Sequence, residues 1–237
     1  MSWGERVLDL LFPPRCPFCG QVLDRPGICP KCEAALPWTG EADGLRQGPG
    51  DFRCAAALRY EGLAREGLLR YKFRSTGAAA RTLGELAARC AAERFSGQFD
   101  IVTWVPVSRK RLRRRGFDQA ELLCRGACRL WGVTPVRLLV KETDNPPQSG
   151  LREAAARRAN VLGVYAPAPG ADIAGRRVLL MDDICTTGAT LRECARVLRQ
   201  SGAADVVCAV VAAAGTDRGP KREKTGQDRV EIPRRSV

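Results

Sequence analysis

Residues 178–191 read VLLMDDICTTGATL. An apolar run leads into two adjacent aspartates, then into a small hydroxyl-rich turn with one glycine, and then into a helical pattern. The run at 177–181 predicts a buried strand, and 190–200 predicts the helix that follows it. In an open parallel sheet, ligands bind at the carboxyl ends of the strands. Asp182 and Asp183 are expected at such an end, followed by Thr186, Thr187, Gly188, Ala189 and Thr190 at the start of the helix. Backbone N–H groups at a helix start attract anions, glycine lets the backbone approach closely, and threonine hydroxyls add donors. The loop is therefore suited to a phosphate. The carboxylates would repel that phosphate and instead accept hydrogen bonds from hydroxyl groups. A phosphate beside a pair of hydroxyls describes a ribose 5-phosphate. A plain strand-to-helix turn capped by Asp needs one Asp and one Thr, fewer than the chain supplies. Neither GxxxxGK[ST] nor a GxGxxG after a strand is present.

Around this stretch, strand-like and helix-like segments alternate. Strands are expected at 54–60, 100–107, 136–140 and 206–212, and helices at 62–73, 78–95 and 118–130. Asp118 with Glu121 three residues on marks the start of the last of these helices, and Gly202 marks the stop of the helix at 190–200. This alternation predicts an α/β fold, a parallel sheet with helices on both faces. Residues 54–214 make up this domain; 41–53, inside a Gly/Pro/acid-rich stretch, are expected to be linker, and 215–237 a disordered basic tail.

The N-terminal residues 1–40 form a separate module. Cys16, Cys19, Cys29 and Cys32 follow the pattern C-x2-C-x9-C-x2-C, which suits one tetrahedral Zn²⁺ with a closed shell of four thiolates and hence a structural metal. A redox pair is the competing reading. Residues 1–15 suggest a short amphipathic helix with Val7, Leu8 and Leu11 on one side, packed on the body of the protein or in contact with a membrane.

The chain of 237 residues carries 39 Lys and Arg against 26 Asp and Glu, a net charge of +13, which favours anionic partners over a merely solvated surface only where the charge is concentrated. It contains no histidine, which excludes Ser-His-Asp triads, Cys-His proteases and HExxH metal sites. No secretory pattern and no apolar run of about 18 residues is present, so the expectation is a cytoplasmic protein without a membrane span, its cysteines reduced or metal-bound. Cys54, Cys90, Cys124, Cys128, Cys194 and Cys208 fall in apolar patterns and read as core. Cys185 opens the phosphate loop, where a helix start would lower its pKa and oxidation would shut the site.

The charge is concentrated at 109–115, where Arg109, Lys110, Arg111, Arg113, Arg114 and Arg115 follow the strand at 100–107. A solvated basic helix face and a track for a nucleic-acid backbone both fit such a run.

The 178–191 stretch resembles the phosphoribosyl pyrophosphate (PRPP) motif of type I phosphoribosyltransferases. The resemblance implies that Asp182 and Asp183 hold the ribose hydroxyls of Mg²⁺-bound PRPP and act in catalysis, that Thr186 to Thr190 hold the 5-phosphate, and that Val107, Ser108, Arg109 and Lys110 hold the pyrophosphate. A wider resemblance covers nearly the whole chain: the four cysteines, YEGLAREGLLRYKFR (60–74), VPVSRKRLRRRGFDQAELL (105–123), KETDNPPQSGLREAAARRANVLGVY (141–165) and the D-D-x-x-T-T-G-x-T motif. In this order they resemble the ComF/GntX family of amidophosphoribosyltransferase-like proteins. In that family R-G-F-N-Q is usual, where this chain has Arg115-Gly116-Phe117-Asp118-Gln119. The resemblance implies phosphoribosyl transfer with release of pyrophosphate, a link to DNA uptake, and other competence proteins as partners. Thr143, Gln148, Leu151, Arg158 and Asn160 would lie in a mobile hood over the site. The competing reading is a non-catalytic scaffold in which Arg111, Arg113, Arg114 and Arg115 bind single-stranded DNA.

Overall fold

The computed structural model describes residues 13–73, 77–143 and 162–215. The expected helix at 1–15 (up to residue 12), most of the expected hood and the tail from 216 lie outside them.

Two runs, FRCAAALR and DVVCAVVAA, are apolar on both faces, as strands covered on both sides must be. They form β2 (Phe52–Arg59) and β7 (Asp205–Ala213), the centre of a five-stranded sheet with order β1-β2-β7-β6-β3. Strand β6 (Arg177–Cys185) pairs parallel with β7, and β3 (Ile101–Trp104) pairs parallel with β6 at the far edge. Strand β2 also runs parallel to β7. The other edge is β1 (Leu45–Gly48), antiparallel to β2 with Arg46 opposite Cys54. Residues 41–53, expected to be linker, thus contain a strand of the main sheet. Gly50 and Asp51, both with positive φ, turn the chain between the two strands.

Helices α2 (Gly62–Phe73), α3 (Gly77–Phe95) and α5 (Gln119–Trp131) cover one face, burying Leu68, Leu83 and Leu123 against the sheet. Helix α6 (Ala189–Gln200) covers the other, with Leu191, Cys194, Ala195 and Leu198 at the i, i+3, i+4, i+7 spacing of an apolar face. Beside it lies a two-stranded antiparallel ribbon, β4 (Leu139–Lys141) with β5 (Tyr165–Pro167). The strand expected at 136–140 belongs to this ribbon rather than to the sheet. The short helices α1 (Pro30–Ala35) and α4 (Arg109–Arg115) belong to the cysteine module and to the connection after β3.

The cysteine module packs into the first face. Phe18, fully buried, and Leu36 join the same apolar cluster as Leu68 and Leu83. The four cysteine sulfurs lie within 4.8 Å of one another. A tetrahedral Zn²⁺ with bonds of about 2.3 Å needs sulfurs about 3.8 Å apart, and the cluster accommodates it. The Cys32 amide donates to Cys29 Sγ at 3.4 Å, which favours the thiolate form of Cys29 and lowers its pKa, while burial pushes the neighbouring Cys32 thiol up.

Candidate phosphoribosyl site at the carboxyl edge

Strand β6 runs four residues past its expected end. Its partner β7 stays apolar, so the ladder continues through Asp182 opposite Val210 to Cys185 opposite Ala213. The two aspartates therefore sit within the strand, on a frame fixed by its neighbour. Asp183 faces α2, is largely buried and pairs with Lys72 Nζ at 3.3 Å. Asp182 is half-buried and accepts from the Asp183 amide at 2.8 Å. Burial, then the charge of Asp183, holds the Asp182 carboxyl well above the usual carboxylate range, and Lys72 opposes the shift. Asp183, in turn, raises the pKa of Lys72.

Past Cys185 the chain turns through Thr186 and Thr187 to Gly188, which caps α6 with φ 72 and no side-chain hydrogen bond. Thr187 Oγ1 accepts from the Ala189 amide at 3.3 Å. Among the described residues, the N–H groups of Thr186, Thr187 and Gly188 have no acceptor. Three consecutive amides at the start of a twelve-residue helix form a concavity suited to an anion.

The neighbouring strand supplies a second loop at the same edge. Trp104 pairs with Met181, and the Val105 amide donates to Met181 O at 3.0 Å, so residues 105–108 leave the sheet beside the aspartates. Ser108 caps α4 by accepting from the Arg111 amide at 3.3 Å. Val107 and Ser108 lie in the loop as expected, whereas Arg109 and Lys110 begin the helix. Arg109, Lys110, Arg113 and Arg114 are exposed, and Arg111 and Arg115 are half-buried.

Asp118 joins the two halves of this connection. Its Oδ2 accepts from the Val107 amide at 3.0 Å, and its Oδ1 accepts from the amides of Ala120 and Glu121 at 3.0 and 3.2 Å. Both oxygens act as acceptors, which a carboxylate satisfies and an amide side chain would not. The departure from R-G-F-N-Q is thus matched by the local geometry.

Three contributors carried no signal as site residues in the sequence. Lys72 is held at the site by its own carbonyl, which accepts from Gln119 Nε2 at 2.8 Å, while Tyr71 Oη donates to Gln119 O at 2.7 Å. Arg46 reaches the start of the Thr186–Gly188 loop from β1. Arg192, on the first turns of α6, folds back onto Thr187 O at 2.5 Å. The family-like stretches 60–74 and 105–123 contained Lys72 and Gln119, but no spacing rule marked the pair. Cys185 is buried, and its thiol is lowered to about 7, first by a hydrogen bond with Cys54 and then by Arg46 and Arg192. The other six cysteines outside the zinc module are buried.

The comparisons with known proteins agree with this architecture. A phosphoribosyl transferase domain model matches residues 129–233, and a double zinc ribbon domain model matches residues 7–42. The chain is 37% identical over 108 residues to an orotate phosphoribosyltransferase of Nocardioides sp., covering 45% of this chain and 53% of that protein. It is 25% identical over 189 residues to competence protein ComFC of Bacillus subtilis, covering 80% and 73%. It is 32% identical over 143 residues to competence protein F of Haemophilus influenzae, covering 58% and 62%. The chain thus spans about half the length of the orotate enzyme and somewhat more of the two competence proteins. None of its described helices is long and apolar enough to cross a membrane. The match to a double zinc ribbon domain, the match to a phosphoribosyl transferase domain and the similarity to two competence proteins together support a ComF family protein.

Proposed function

We propose that the carboxyl edge of β6 and β3 binds Mg²⁺-PRPP and that the chain transfers its 5-phosphoribosyl group with release of pyrophosphate, in a cytoplasmic role connected with DNA uptake. One observation carries this reading: three amides at Thr186–Gly188, without an acceptor among the described residues, stand shortly after a carboxylate pair held within a strand. An anion seat and a hydroxyl seat, a few residues apart on a rigid frame, match the two ends of a ribose 5-phosphate.

In this arrangement the loop amides and the hydroxyls of Thr186, Thr187 and Thr190 hold the 5-phosphate, and Asp182 and Asp183 accept from the ribose hydroxyls. Breaking the bond between the anomeric carbon and pyrophosphate sends the electron pair to the leaving group and builds positive charge on the sugar. The two carboxylates lie where they offset that charge, and Lys72 and the basic connection from Val107 to Lys110 face the departing anion. Mg²⁺ favours hard oxygen ligands and phosphates, and it would neutralise the pyrophosphate. Of the carboxylates present, Asp182 fits it better, because Asp183 is already paired with Lys72.

The test is a calorimetric titration with Mg²⁺-PRPP of the zinc-loaded protein and of the Asp182→Asn/Asp183→Asn variant. Loss of several charge-assisted hydrogen bonds should weaken binding by more than about tenfold with the fold intact. Equal affinities would sink the assignment.

A second reading has its own support in α4, where Arg109, Lys110, Arg113 and Arg114 are exposed on one short element. This helix suits the backbone of single-stranded DNA. Four phosphate contacts predict that log affinity falls against log salt with a slope of about −3. A flat salt response, or no binding at low salt, would exclude it.

A further inference from the structure

The β1–β2 hairpin lies behind the phosphate loop, and its contacts with the loop are specific. Arg46 Nη1 donates to Cys185 O at 2.9 Å and to Thr186 O at 2.7 Å, bridging 139 and 140 residues of sequence. Arg192 Nη2 donates to the next carbonyl, Thr187 O, at 2.5 Å. The Arg192 guanidinium lies over the ring of Phe52, 5.2 Å from its centre, and Phe52 opens β2. Three successive carbonyls are therefore held by two guanidinium groups seated on the hairpin side, the first of them, at the end of β6, also accepting from the Ala214 amide at 2.9 Å. A trans peptide is planar, and its N–H points opposite to its C=O. Fixing the carbonyls of residues 185, 186 and 187 thus turns the N–H groups of Thr186, Thr187 and Gly188 to the other side of the loop. Those are the three amides that have no acceptor among the described residues.

We infer that Arg46 is a positioning residue for the anion seat: with Arg192 and Phe52 it sets the carbonyls of the loop, so that its amides stand ready for a phosphate before one arrives. The inference rests on the phosphoribosyl reading of this loop. A loop without these ties would have to order its peptides on binding, and that ordering would weaken affinity. The packing is tight on this side. A Cβ on Gly188 would lie 3.0 Å from Arg192 Nη1 and 3.3 Å from the Phe52 ring, at a φ of 72 that already favours glycine. The hairpin therefore belongs to the binding site through the loop it holds.

Ribose 5-phosphate, titrated against the whole zinc-loaded chain, tests this directly. Arg46→Gln keeps the length of the side chain's stem and removes the charged bridge. It should weaken binding about tenfold. Arg46→Lys, which restores a charged donor, should recover part of the loss, a rescue that a purely structural role would not produce. The amide resonances of Thr186, Thr187 and Gly188 should shift on adding ribose 5-phosphate to the wild type and shift less in Arg46→Gln. Phe52→Leu leaves Arg46 in place and removes the ring beneath Arg192; it should cost about threefold in affinity and serves if Arg46→Gln fails to fold. Wild-type affinity in Arg46→Gln or in Phe52→Leu would overturn the inference while leaving the site assignment standing. No binding of ribose 5-phosphate by the wild type would overturn both.

Discussion

Two carboxylates side by side in a sheet oppose the stability of the strand that carries them. Asp183 is relieved by Lys72, but Asp182 is held above the usual carboxylate range by burial and by Asp183. A carboxyl whose pKa is raised by folding disfavours the charged native state, so its contribution to stability falls as pH rises above the unfolded value near 3.9. Asp182→Asn removes the charge and should raise the melting temperature at pH 7.5. The gain should shrink as the pH is lowered, and vanish below about pH 4, where the carboxyl is protonated in both states. Thermal melts across that range check this, and a variant that melts below wild type at pH 7.5 would contradict it. A site that trades stability for ligand binding is the arrangement expected of a functional pair. The pair and the loop after it were legible in sequence because the whole device fits in nine consecutive residues, Asp182 to Thr190. Lys72 and Arg46 were not, because they lie 111 and 140 residues before Asp183 and Thr186, which they contact, and only helix docking and strand pairing bring them there.

At the scale of elements, sequence patterns succeeded where apolar periodicity is long and failed where it is short. The helices at 62–73, 118–130 and 190–200 show their faces, and their observed bounds differ from expectation by one residue or none. Strand β1 has four residues with one apolar side chain among glycines and acids, and only its pairing with β2 makes it a strand. Strand β5, of three residues, carried no signal for the same reason. Strand β6 appeared to end at its first charge, since nothing local revealed that β7 would carry the ladder further. The contact between α3 and α5 shows what small residues do at this scale. A Cβ on Gly84 would lie 2.2 Å from Leu123 O, and one on Gly126 would lie 2.7 Å from Ala80 O. Backbone meets backbone there, so the clash cannot be relieved by a rotamer change. Gly84→Val should therefore destabilise the protein by about 3 kcal/mol, the upper end for overpacked cores, and denaturant unfolding would measure it. A loss under about 1 kcal/mol would mean that the helices can slide apart more easily than their packing implies.

For the whole molecule, the question is whether the zinc module and the sheet are two bodies or one. Sequence suggested two, separated by a linker. Structurally, the chain after the module is stitched to β2: the Arg59 amide donates to Pro37 O at 2.8 Å, the Thr39 amide donates to Ala57 O at 3.1 Å, and Trp38 bridges Leu58. The module itself is seated on α2. Phe18 lies so close to Gly67 that a Cβ there would come within 2.6 Å of its ring. Cys16, Cys29 and Cys32 line the same apolar cluster as the helices on that face. Removing the metal therefore uncovers the flank of the main core as well as the module. Chelation should lower the melting temperature in a single transition, by at least about 5 °C, the shift expected from a few kcal/mol in a chain of this size. Gly67→Val, which pries the module off without touching a metal ligand, should lower it in the same way with zinc still bound. If chelation instead produced two transitions, with the main one unmoved, the module would be an independent appendage and its burial on α2 energetically idle. A single lowered transition would mean that metal binding supports the frame that holds Lys72 against Asp183, because Lys72 lies on the helix on which the module rests.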